Sequence, residues 1–440
     1  MMNLRALPLV LALTTAFTIP AQAQSLVDFY DAARSFDATY QSAKSLYEAN
    51  LFKAEQAKAG LFPLVNLGLG VNRSSSNAAT FGLTSSSTNT QNATLSARQP
   101  LYRPVNVVIA AQGKKSAEIA QLQFQAADQD LIVRVAQAYF DVLSSADSLT
   151  FVRAQKDAIS EQLAAAKRNF EVGTATITDT REAQARFDLV LAQEIAAEND
   201  LRIKKIALEL LTGKTNIEPK RLEALVTIQQ IVPDNPALWV AQAESIHPSI
   251  NQAKLGLDVA QLETRKAQAD HKPTLDLTGS YSVTQYDGSS NPALNNRTNA
   301  AAVGLSFNLP LFAGFATQNR IKETLALEDK ARSDLESAQR GVAQATRTAF
   351  FGVQSGQGQV KALEAAEASS QSALDATKLG YQVGVRINID VLNAQTTLFE
   401  TKAKLSKARY DVLLGGLKLR QANGSLNAED LVAVNVLLTR

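Results

Sequence analysis

Four stretches of the chain alternate apolar and polar residues with a period of two. Val65, Leu67, Leu69 and Val71 are interleaved with Asn66, Gly68, Gly70 and Asn72. Leu275, Leu277, Tyr281 and Val283 are interleaved with Asp276, Thr278, Ser280, Ser282 and Thr284. Ala301, Val303, Leu305, Phe307 and Leu309 are interleaved with Ala302, Gly304, Ser306 and Asn308, and a weaker alternation covers 94–101. Successive side chains of a strand point to opposite faces. The pattern therefore predicts strands over about 64–73, 94–101, 274–285 and 300–309, each apolar on one face and small or polar on the other. A transmembrane barrel wall has this character, apolar toward lipid and polar toward the lumen. The half-buried sheet of an ordinary globule shares the period. The links 72–91 and 287–299 are rich in Ser, Thr and Asn. They read as the longer, external loops of a barrel, or more blandly as flexible linkers.

The period then changes. Residues 104–173 contain almost no helix breaker, and 65 to 70 helical residues would span roughly 100 Å. Steps of four and three run through Leu131, Val135, Ala138, Val142, Ser145, Leu149, Val152, Lys156, Ile159, Leu163, Ala166 and Phe170. Only Ser145 and Lys156 interrupt the apolar stripe. A sustained period near 3.5 predicts supercoiled helices packed knobs-into-holes. A soluble coiled-coil rod would show the same stripe; rod and barrel strands together are a rarer combination.

The whole pattern occurs twice, at a spacing of 210 to 211 residues. Phe170-Glu171-Val172-Gly173 returns as Tyr381-Gln382-Val383-Gly384, Asp179 as Asp390, and Gly213 as Gly424. Pro63 and Pro100 return as Pro273 and Pro310, and Tyr139-Phe140 as Phe350-Phe351. This is a large tandem duplication rather than an array of short repeats. Each half reads as a helical segment (26–60 and 236–270), two strands, then two long helices meeting at a glycine turn. We place the halves at 24–225 and 226–440.

Four strands do not close a barrel, because bacterial outer-membrane barrels begin at about eight. An open sheet edge is not tolerated in lipid, so several chains must share one barrel. A trimer would supply twelve strands, although the pattern alone does not choose three.

Composition narrows the function. Arg5, a short apolar stretch over 7–19 and Ala21-Gln22-Ala23 read as an export signal cleaved after Ala23. Beyond it no run reaches the roughly 18 apolar residues of a membrane helix. The formal net charge of +2 offers no basic field for nucleic acid. The absence of cysteine excludes disulfides, thiol chemistry and a lipid-bearing N-terminal cysteine. His247 and His271 are the two histidines, each beside a proline-containing turn, and read as turn residues rather than metal ligands. No acid, base and nucleophile set, phosphate loop or cofactor motif emerges. An envelope hydrolase is therefore a distant reading, and a periplasmic coiled-coil adaptor or spacer is the runner-up.

The stretch 380–398, GYQVGVRINIDVLNAQTTL, resembles the GYxVGxRxxxDVLxAxTTL signature of the outer-membrane efflux (TolC-like) protein family. In the first half 168–179, RNFEVGTATITD, resembles the family's RFxVGxxxITD, and 273–277 and 305–312 resemble its second strand pair. The resemblance implies a trimer with a 12-stranded β-barrel in the outer membrane, continued by a helical coiled-coil barrel through the periplasm. Such a protein is a passive exit duct for drugs or secreted polypeptides, without cofactors. Its expected partners are a periplasmic adaptor, an inner-membrane transporter and outer-membrane lipid. The resemblance also implies a mixed belt formed near 212–235 and from 423 onward. It further implies a periplasmic gate in which Asp179 links to Tyr381, and Arg386 to Thr178 and Asp179. A pore selectivity ring is implied at Asp390, with Asn393 in the place of a second aspartate. A further family link joins a glutamine, matching Gln162, to a glutamate whose place Lys378 occupies.

Overall fold

A computed structural model describes residues 24–76, 86–222, 231–288 and 295–438. The expected export signal over 1–23 lies outside the described residues. Four strands, β1 (Leu64–Ser76), β2 (Ser86–Tyr102), β3 (Thr274–Asp287) and β4 (Arg297–Asn308), form one antiparallel sheet in the order β1-β2-β3-β4. The pairing register sorts the side chains. Leu67, Leu95, Tyr281 and Ala301 oppose one another across the sheet, as do Leu69, Ala93, Val283 and Asn299. Directly opposed residues share a face. The other face carries Asn66, Ser96, Ser280 and Ala302, then Gly68, Thr94, Ser282 and Ala300. Leu69 is 76% exposed and Val303 84% exposed, so the apolar face has no covering layer within the chain.

The strands are longer than the alternation suggested. β1 runs on to Ser76 and β2 begins at Ser86, so the ladder takes up most of the expected 72–91 loop, and 77–85 lie outside the described residues. A ladder is made by backbone groups, and Ser and Thr side chains continue it once the strands rise above lipid into water. β3 likewise reaches Asp287 and β4 starts at Arg297, which shortens the second loop; Leu309 falls just beyond β4. β1 and β4 are both left as free edges.

Nine α-helices and a 3-10 turn (Ala59–Leu61) among the described residues complete the chain, the α-helices being α1 (Leu26–Phe36), α2 (Ala38–Lys58), α3 (Pro104–Glu171), α4 (Ile177–Thr212), α5 (Pro236–Ile246), α6 (Pro248–Ala269), α7 (Ala316–Gln382), α8 (Asn388–Asn423) and α9 (Ala428–Asn435). α3 has 68 residues and α7 has 67, about 100 Å each. Pro104 stands at the first turn of α3, where its missing N–H has no helical partner in any case. The two polar interruptions of the α3 stripe are satisfied by α4. Ser145 donates to Asp200 at 2.6 Å and Lys156 to Glu194 at 2.6 Å. The sheet is tied to the helices by Arg103, just ahead of α3, which donates two hydrogen bonds to buried Asp276 of β3 at 2.7 and 2.5 Å.

The largest core lies midway along α3, where Leu131, Val135, Tyr139 and Phe140 meet Leu26 and Phe29 of α1, Leu208 of α4 and Leu414 and Leu417 of α8. Ile217, Leu222, Leu426, Leu431 and Leu438 join it, and short bridges link Gln24 to Pro219 and Leu222 to Leu438. The expected belt is thus built from both segments named for it; 223–230 and 439–440 lie outside the described residues.

Each expected single helix at the start of a repeat is instead two. The chain turns at Asp37 between α1 and α2 and at His247 between α5 and α6, with φ of −61° and −62°. Asp37 accepts the Tyr40 N–H at 2.7 Å, and His247 Nδ1 accepts the Ser249 N–H at 3.1 Å. The two breaks lie 210 residues apart, and the glycine that ends each long return helix rests on one of them. A Cβ on Gly213 would stand 2.6 Å from the Phe36 ring, and one on Gly424 2.6 Å from His247 Cα. Arg134 grips Asp37 with two further bonds, at 2.9 and 3.0 Å, and these hold the Asp37 carboxyl below its usual range.

Burial pushes the His247 imidazole below its ordinary value of 6.5, and its capping nitrogen must stay unprotonated. Its folded value lies below the unfolded one, so the stabilisation is complete above about pH 6.5 and is lost as pH falls through the folded value. His247→Asn keeps a capping acceptor that does not titrate. Thermal melts at pH 7.5 and 5.5 should show an acid loss of about 1 kcal/mol in the wild type that the variant lacks; equal losses in both proteins would dismiss the cap as its source.

Candidate gate at the helical tip

At the end remote from the sheet, α3 turns into α4 and α7 into α8 through matched loops. Val172 and Val383 close the long helices with φ −90°, ψ 2°, and Gly173 and Gly384 follow at φ +81°. That left-handed conformation is open to glycine at little steric cost, which explains the Val-Gly pair in both signatures. The Asn169 carbonyl then accepts the N–H groups of Thr174 and Ala175, and the Gly380 carbonyl those of Val385 and Arg386.

The two loops differ at one decisive position. Thr176 caps α4 in a reciprocal pair: its N–H donates to Asp179 at 2.9 Å, and its hydroxyl accepts the Asp179 N–H at 3.2 Å. The equivalent residue in the second half is Ile387, which has no side-chain acceptor. Asp390 is thereby released from capping. Arg386, four residues earlier, lies 3.6 Å from it. Thr178 is exposed in the first turn of α4.

The hairpins α3–α4 and α7–α8 meet at this end. Leu392 packs with Ile159, Leu163, Ala166, Ala183 and Val190, while Leu374, Val391 and Leu398 form a smaller cluster with Tyr381 against it. Several polar ties cross between the hairpins near the tip. Asn169 donates to the Tyr381 hydroxyl at 3.3 Å, Arg186 to Asn393 at 2.8 Å, and Gln162 to buried Asn388. Within one chain the structure thus gives the gate residues partners other than those the resemblance implied. Asp179 is held by Thr176, Tyr381 by Asn169 and Arg386 by Asp390. Gln162 finds Asn388, while Lys378 is exposed one turn before Tyr381.

Asn169, Arg186 and Asn388 were not singled out from the sequence. Gln162 and Asn169 carried a signal in retrospect: they lie seven residues apart, one heptad, on the flank of the apolar stripe. Nothing local marks Arg186. Among the described residues no group of three or more metal-ligating side chains occurs, and no helix is apolar enough to cross a membrane.

A family model described as outer membrane efflux protein matches residues 29–214 and again 239–425. The chain belongs to this family. Each match covers one long-helix repeat, with the αL glycines Gly213 and Gly424 near its end. Over 448 residues the chain is 33% identical to the outer membrane protein TolC of Escherichia coli K12, covering 99% of this chain and 90% of that one. It is 33% identical over 344 residues to the alkaline protease secretion protein AprF of Pseudomonas aeruginosa, covering 78% and 71%. The Campylobacter jejuni CmeC outer membrane channel superposes with a TM-score of 0.78 at 16% identity, covering 94% and 90%. That likeness establishes the outer-membrane efflux protein fold: a sheet, long helical hairpins and a central belt, in two repeats.

Proposed function

We propose that the chain is the outer-membrane exit duct of a Gram-negative efflux pump or type I secretion system. It passively conducts drugs or secreted polypeptides from an inner-membrane transporter to the outside. The observation that carries this reading is the sheet, apolar on one face and polar on the other, with both edges unpaired and helices of about 100 Å attached. An open edge in lipid is costly, so three copies join β4 to β1 around a 12-stranded barrel. The helices then line a periplasmic tunnel. Relatives named as secretion proteins, such as AprF, and the family description of efflux support the two cargo classes. The export signal 1–23 and the repeats 24–225 and 226–440 belong to this reading.

Thr178, Asp179, Tyr381 and Arg386 form the periplasmic gate and Asp390 with Asn393 the pore ring. A periplasmic adaptor and an inner-membrane transporter supply the differential binding that opens the tip. The family members are channel proteins.

The test is assembly and conduction. Purified full-length protein should be a trimer by light scattering in detergent, fractionate with the outer membrane and conduct ions in planar bilayers. A monodisperse monomer with its sheet intact would sink the shared barrel. Recovery in the soluble periplasm would favour an adaptor or spacer instead.

A further inference from the structure

The outer face of the sheet changes character above its apolar rows. Val71, Gln91, Gln285 and Arg297 oppose one another across the four strands, so they share a face with Leu67, Leu95 and Tyr281. The next row on that face holds Arg73, Asn89 and Asp287. From Phe307 in the lowest row to Arg297 the strand covers about 34 Å, or about 26 Å along the membrane normal at a tilt near 40°. The apolar band of an outer-membrane barrel is about 25 Å tall. Both arginines therefore stand at headgroup level, at the end away from the helices, which is the outer leaflet.

Their surroundings suit an anion with an acyl chain. An open recess of about 520 Å³ is lined by apolar Leu69, Val71 and Val283 together with Gln91, Gln285 and Arg297. Arg297 is exposed and makes no hydrogen bond or ion pair among the described residues. Arg73 commits only Nε, to Ser87 at 3.1 Å. Asp287 is the one carboxylate in these two rows and accepts from Gln285 at 2.9 Å. The free guanidinium forks match phosphate in a bidentate manner.

We propose that this rim binds the phosphorylated glycolipid of the outer leaflet, lipid A. Its phosphates sit on Arg73 and Arg297, its sugar hydroxyls on the glutamines, and its first acyl carbons against Leu69, Val71 and Val283. The proposal rests on the barrel reading above. It follows that the lipid helps to seat the barrel at a fixed height.

The test is native mass spectrometry of the full-length protein in detergent, with lipid A carrying two phosphates, the same lipid A without phosphate, and phosphatidylglycerol. The wild type should retain the phosphorylated form preferentially. Each arginine near an anionic surface contributes about fivefold, so Arg73→Gln with Arg297→Gln should weaken retention by about 25-fold. Undiminished retention in the double variant, or equal retention of phosphate-free lipid A, would overturn the proposal. Equal retention of phosphatidylglycerol would do the same, because the rim would then read negative charge alone. Planar-bilayer conductance is recorded on the same samples. A double variant that conducts normally and keeps its lipid A sinks the rim alone, whereas a wild type that never conducts sinks the exit duct beneath it.

Discussion

Combining Tyr381→Phe with Arg386→Ser should raise single-channel conductance in planar bilayers severalfold, with trimer assembly unchanged. The Tyr381 hydroxyl takes the Asn169 amide across the hairpin boundary at 3.3 Å. Arg386 lies in the turn ahead of α8, is more than half exposed, and is held there only by a 3.6 Å pair with Asp390. A pair of that kind is worth little, so its fork is available to Thr178 and Asp179 in the closed trimer. Two such contacts at about 1 kcal/mol each, repeated in three copies, amount to about 6 kcal/mol. A shift from 1:99 to 99:1 between two states needs about 5.5 kcal/mol. Phe keeps the ring that Tyr381 packs against Leu374, Val391 and Leu398, and Arg386 joins neither apolar cluster, so the hairpins keep their packing. Unchanged conductance in a correctly assembled double variant would move the closed-state hold elsewhere, first to Arg186 and Asn393 and to Gln162 and Asn388.

Asp390→Asn should reduce cation selectivity and weaken block by multivalent cations added from the periplasmic side. In the proposed pore, three-fold symmetry turns one carboxylate into a ring, and low-dielectric walls focus its field. The structure adds a counterweight: the Arg386 guanidinium lies 3.6 Å away and partly cancels each charge. Arg386→Ser by itself should therefore strengthen block, and high salt should weaken block throughout. Asn393, one turn on, accepts from Arg186 at 2.8 Å. Asn393→Asp would then place a carboxylate already paired with a guanidinium. It should strengthen block modestly alone and clearly when Arg186→Gln accompanies it. If selectivity and block stay at wild-type levels in Asp390→Asn and in both Asn393 variants, no selectivity ring exists at this position.

Much of the architecture was legible in the chain before any coordinates. Alternation located all four strands and assigned their faces, because a period of two has only one structural meaning for side chains on a pleated ribbon. The stripe from Leu131 to Phe170 announced α3, and its matched spacing with the second half announced the repeat. Gly173 and Gly384 marked the tip turns because few other residues adopt a φ of +81° there.

Tertiary structure alone decided the rest. The strands outran their apolar segments because a backbone ladder does not consult side chains once water replaces lipid. Asp37 and His247 broke helices that read as continuous: each caps the following helix itself, but the glycine that rests on each break comes from more than 170 residues away in sequence. The gate partners were beyond reach for a similar reason. Asn169 finds Tyr381, and Arg186 finds Asn393, across separations of 212 and 207 residues. Those pairings follow from how two hairpins lie against each other, not from any local pattern. The one exception is the contrast between Thr176 and Ile387. It is written in the sequence, but its consequence, an Asp390 freed from capping and turned to Arg386, becomes visible only when both turns are folded.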